Sequence, residues 1–172
     1  MYIEVLNFNK KRNNLMWNLE LEQDMLGEEI KEFWCANTRA ERLDALVDTE
    51  FVWIGTQIKA CSNRITLEKG LEEHVDVNLR FMRKVLASEL GEIFQECYSN
   101  ACEIVCAANS KKGKQKDDKG KVKKDENVPN ATEEIETMIV KVAENFEKSK
   151  TTSGKIFSNI DFNSTLFGAN NG

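Results

Sequence analysis

This chain of 172 residues has one proline, one histidine, two tyrosines and three tryptophans. Scarce proline and aromatics, set against many Glu, Lys and Leu, favour helices over strands. No apolar run is long enough to cross a membrane, and the first residues lack a signal-peptide pattern, so a cytoplasmic protein with no membrane partner is expected. The single His74 sits beside Val75 with no visible partner and reads as a surface or partly packed residue rather than a catalytic one. Five cysteines, an odd number at mostly apolar helical positions, read as reduced thiols. Cys102 and Cys106 have the i, i+4 spacing, but the absence of a second pair or a nearby His argues against zinc. A net charge of −5 argues against a general nucleic-acid binder. It leaves a nucleotide substrate open, because a metal ion can bring phosphates to an acidic site.

Hydrophobic periodicity divides the chain. Residues 1–12, a short alternating segment that turns basic, read as an arm. Helices are predicted over 13–36, about 39–60, about 66–87 and about 88–108. Short links between them imply antiparallel neighbours. Residues 109–130 carry eight lysines and hardly any apolar side chain. They read either as a solvated linker or as a basic loop that folds over an anionic ligand. A last amphipathic helix is predicted over 131–148, with Ile135, Met138, Ile139, Val142 and Phe146 on one face and Thr132 as its cap. Residues 149–172 read as a flexible tail. The expected fold is therefore all-α, a four-helix bundle with an additional C-terminal helix, in one domain over 13–148.

Two groups of carboxylates stand where helices should bury apolar residues. On the first helix Leu26, Ile30 and Phe33 form the apolar stripe. At about 100° per residue, Glu29 projects inside its arc, Glu32 lies at its edge and Glu28 points further away. On the second helix Glu41, Asp44 and Asp48 follow an i, i+3, i+7 file. Val47 and Phe51 flank that file on one side, Ala45 and Val52 on the other. Thr38, three residues before Glu41, makes a capping-box pattern. Burying several carboxylates together is costly unless a cation neutralises them. With no His or Cys at ligand spacing, the set suits a hard ion, Mg²⁺ or alternatively Mn²⁺. Two acidic helix faces bridged to Lys and Arg elsewhere would give the same pattern, and the residues leave both readings open. Trp34, beside Phe33, reads as core, with stacking on a base as the other possibility.

These motifs resemble the all-α NTP pyrophosphatase superfamily, in its MazG-like and phosphoribosyl-ATP-pyrophosphohydrolase-like members of phages and bacteria. Glu28, Glu29 and Glu32 match its E-E-x-x-E motif. Its second acidic motif, E-x-x-D, is matched in letters by Glu41 and Asp44. Asp48 with the apolar residues after it fits the usual continuation better, with Ala45 where many members have Glu. Asn109 and Lys112 resemble an N-x-x-K segment. Gly120 to Lys124, with Asn127 and Pro129, resembles a G-K-V-x-K-G-P-N segment in which Asp125 and Glu126 replace Gly-Pro. The resemblance implies Mg²⁺-dependent cleavage of a nucleoside triphosphate to a monophosphate and pyrophosphate. Glu29, Glu32, Asp44 and Asp48 would hold the metal, with Asp44 the first choice for the fourth place and Glu41 the second. Glu28 or Glu41 would orient or deprotonate the attacking water, and Asn109, Lys112, Lys121 and Lys124 would hold the substrate. The alternatives are phosphoribosyl-ATP, dUTP or dCTP as substrate, or a non-catalytic scaffold whose acidic face binds a basic partner. A homodimer or homotetramer is expected.

Overall fold

Helical spacing becomes helix almost throughout the computed structural model, which describes residues 1–118, 120–122 and 130–158. The helices are α1 (Tyr2–Lys11), α2 (Leu19–Cys35), α3 (Arg39–Ser62), α4 (Lys69–Leu90), α5 (Phe94–Lys111) and α6 (Ala131–Ser158), with a one-turn 3₁₀ helix at Gly91–Ile93. No strand occurs among the described residues. The fold is all-α, with α2 to α5 as the bundle and α6 as the additional C-terminal helix.

α3 is the central element. It packs most extensively on α2 and also touches α1, α4, α5 and α6. Its sequence explains this, because Leu43, Leu46, Val47 and Trp53 bury apolar surface on more than one side. Full burial of each such side chain stabilises by about 1.5–3 kcal/mol. Leu26, Ile30 and Phe33 of α2 meet this surface, as do Val75, Met82 and Leu86 of α4, Cys97, Ala101 and Val105 of α5, and Ile135 and Ile139 of α6. A polar tie joins the far side of α3 to α4 and α5. There the buried Glu50 carboxylate accepts from the Arg83 guanidinium at 2.6 Å and from the Tyr98 hydroxyl.

The boundaries differ from expectation in several places. Residues 1–12 are not an arm. Met1, Val5, Phe8 and Arg12 recur at i, i+4, i+7 and i+11, and α1 docks through them, with Val5 joining Phe51 and Ile58. The next helix begins at Leu19 rather than 13. Asn13 adopts a φ of 50°, and the Asn18 side chain caps α2 by accepting from the Leu21 N–H at 3.3 Å. α4 runs to Leu90 and is closed by Gly91 at φ 55°, a conformation that suits a residue without Cβ. α6 continues to Ser158, ten residues past the predicted end and into the segment read as tail. Residues 159–172 of that segment lie outside the described ones. Thr132 does not cap α6: the Asn130 side chain accepts from its N–H at 3.2 Å, and the Thr132 hydroxyl turns elsewhere.

The predicted capping box at the start of α3 is present. Thr38→Ala removes the hydroxyl that accepts from the Glu41 N–H and should cost about 1 kcal/mol. Thermal unfolding measures it; an unchanged midpoint would mean that solvent replaces the cap at no cost.

Candidate functional site

A polar seam runs between α2 and α3. At one end Glu22 and Lys59 are both buried, 0% and 3% exposed, and form an ion pair of 2.6 Å. The Thr56 hydroxyl donates to the second Glu22 oxygen at 2.7 Å. Seven residues on along α2 Glu29 takes the place of Glu22, and back along α3 from Lys59 come Gly55, four residues away, and Asp48, eleven away. At this end no cation of the two helices answers the acids.

Glu29 carries the electrostatic signature of the place. Its carboxyl is pushed up to about 8, first by burial and then by repulsion from Asp48 and Glu32; Lys121 and Lys112 pull the other way. Those five side chains therefore form one electrostatic group, drawn from α2, α3 and the basic segment after α5. Asn109, at the end of α5, donates through Nδ2 to Asp48 Oδ1 at 3.2 Å. Part of the lysine-rich segment is folded. Lys116 and Val122 form an isolated antiparallel bridge, and Asp117 accepts from the Lys121 N–H at 2.8 Å. Gly120, at φ 91°, sits where a Cβ would lie 3.6 Å from Leu21 of α2. The turn so formed leans on α2 and aims the Lys121 ammonium at Glu28, with which it pairs.

The remaining predicted site residues are placed differently. Glu41 is not part of the group: its carboxylate accepts from the N–H groups of Asn37 at 2.6 Å and Thr38 at 3.0 Å, which holds its pKa below the ordinary range. The helix cap and the acidic file compete for that side chain, and the cap takes it. Asp44 turns toward α6 and accepts from the Thr132 hydroxyl at 2.5 Å. Glu28 faces Lys121 rather than the interior. Lys124 lies outside the described residues. Trp34 is not core but half exposed; its ring meets Phe33 edge-on at 5.0 Å and its Nε1 donates to Asn78 at 3.5 Å.

The donor set suits a hard cation in chemistry, because it is all carboxylate oxygen and carries more negative than positive charge. Among the described residues, no three acids are already gathered closely enough to hold one. Glu29, Glu32 and Asp48 would have to turn inward. No protein-family model, curated protein or solved structure matches this chain. Nor is any helix among the described residues long and apolar enough to cross a membrane.

Proton binding at Glu29 has a measurable consequence. Between 4.5, its ordinary value, and about 8, the folded chain retains a proton that the unfolded chain releases. The folded state binds more protons there, so stability falls as pH rises through that window. Glu29→Gln is neutral throughout and should raise the melting temperature at about pH 8.5 by at least about 2–4 °C, the shift per kcal/mol for a chain of this size, while leaving it nearly unchanged at about pH 4. An equal shift at both pH values would show that packing, not charge, is responsible.

Proposed function

We propose that the α2–α3 acids and the facing lysines form the active site of a Mg²⁺-dependent nucleoside triphosphate pyrophosphohydrolase, akin to the all-α NTP pyrophosphatase superfamily. The observation that carries this reading is the raised pKa of Glu29, half-buried beside Asp48 and Glu32 and opposed by Lys112 and Lys121. Acids alone would suit a metal, and lysines alone would suit a phosphate. Both facing one another suit a metal-bound triphosphate.

Glu29, Glu32 and Asp48 would hold the cation, with Asp44 joining after release from Thr132. The ion, when bound, neutralises phosphate oxygens and acidifies a water. The chain's own part is positioning and charge. Lys112 and Lys121 act as point charges for the phosphates. Lys121 is already paired, and a phosphate arriving there would take the place of Glu28 as its partner. That exchange would free the Glu28 carboxylate when substrate enters. Asn109 sets the orientation of Asp48 through its side-chain N–H.

The same reading carries a homo-oligomer. Val77 and Phe81 lie one turn apart on α4 and are exposed, Phe81 at 55%. Light scattering measures the assembly size.

The deciding experiment incubates the protein with the ribo- and deoxynucleoside triphosphates, each with Mg²⁺, and follows release of pyrophosphate and monophosphate. Release from one or a few bases supports the proposal and names the substrate. Silence across the panel and with phosphoribosyl-ATP would overturn it and leave the acidic seam to a basic partner.

A further inference from the structure

Arg12 has no place in the chemistry above, yet it is among the most buried cations of the described residues, 4% exposed. Its guanidinium gathers the carbonyls at the end of α5. Nη2 donates to Asn109 O at 3.1 Å, to Ser110 O at 3.2 Å and to Lys112 O, while Nε donates to Gly113 O at 2.9 Å. The last carbonyls of a helix have no partners within it, and they carry its negative end. A planar fork with several N–H groups can serve them together, where an ammonium cannot. The plane is itself held, stacked over the Phe8 ring at 4.0 Å from its centroid. Phe8 in turn meets Phe51 of α3 edge-on at 5.3 Å. Gly55 of α3 faces α1 here, next to Asn9 and Val5.

Two of the residues whose carbonyls Arg12 holds belong to the site: Asn109, whose side chain reaches Asp48, and Lys112, which faces Glu29. A second tie continues from the end of α1: Lys116 Nζ donates to Asn14 Oδ1 at 3.2 Å. We propose that Arg12 is a positioning residue of the site, clamping the end of α5 so that Asn109 and Lys112 face the α2–α3 acids. This rests on the proposed function, in which those two residues meet the substrate. α1 then serves as a strap that fixes the basic half of the site against the acidic half.

The test uses the full chain as wild type, Arg12→Ala and Arg12→Lys. With the best nucleotide of the panel, both variants should raise the Michaelis constant by about tenfold and leave kcat within about twofold, because substrate holding is loosened while the acids stay in place. Amides of Ser110 to Lys112 should exchange with solvent about tenfold faster as the last turn of α5 frays. Arg12 lies on the wall of a cavity of about 520 Å³ lined also by Phe8, Phe51 and Ser110, so a small cation can reach the vacated place. Ethylguanidinium at millimolar concentration should therefore restore the Michaelis constant of Arg12→Ala. Unchanged Michaelis constants, or a loss that ethylguanidinium does not reverse, would overturn the positioning role. Should Arg12→Ala fail to fold, Arg12→Lys, which keeps the stem and the charge, is judged by its Michaelis constant and exchange alone. A wild type that turns over no nucleotide overturns the proposed function itself, a result distinct from an active wild type whose variants match it.

Discussion

Asp48→Asn is expected to lower Mg²⁺-dependent turnover by roughly 10²–10³-fold, the loss typical when one preorganised charge is removed from a site of developing charge. The substitution keeps volume, and its amide oxygen can still accept from Asn109 Nδ2, so the backbone and the end of α5 have no reason to move. What changes is charge. The negative charge of Asp48 repels the Glu29 carboxylate more than that of any other neighbour and so keeps the proton on Glu29. Without it, Glu29 should titrate closer to the ordinary carboxylate range, a shift that carbon NMR of the side chain can read without any turnover. The apo protein should become no less stable. Full activity in the variant would remove Asp48 from the metal site and, with it, the argument that the acids act as a group.

Lys59→Met should destabilise the fold by about 3–5 kcal/mol, since it leaves the buried Glu22 carboxylate without its cation. Urea unfolding measures this. The paired change Glu22→Leu with Lys59→Met should recover most of the loss, because two apolar side chains of similar volume need no desolvation of charge. Thr56 still donates to Val52 O at 3.0 Å in that background and is not stranded. If single and double variants were equally unstable, the pair would be contributing through packing alone.

What could be read from residue order alone was whatever depends on neighbours along a helix. The stripe of Leu26, Ile30 and Phe33, the placing of Glu29 inside it and the capping box at Thr38 all follow from 3.6-residue spacing. α1 is hard to read in residue order because over so short a stretch an alternating pattern and a helical one look alike. The start of α2 is set by Asn13, Asn14 and Asn18, turn and cap residues that hydrophobic periodicity does not register. Glu41 fits two local patterns, cap and acidic file, and only competition between them decides. The pairing of Glu22 with Lys59 and the grip of Arg12 on α5 join residues 37 and 97 positions apart. No local pattern encodes such a meeting.

That last separation orders events during synthesis. The seam between α2 and α3 closes over a short stretch of chain, so the acids can meet early. Arg12 must wait for the carbonyls of α5, about 5–20 s at ordinary rates of translation. In that interval α1 has no helix end to grip, and the acids of the seam stand without the lysines that later oppose them. A nascent chain would thus hold the negative half of its site before the positive half arrives.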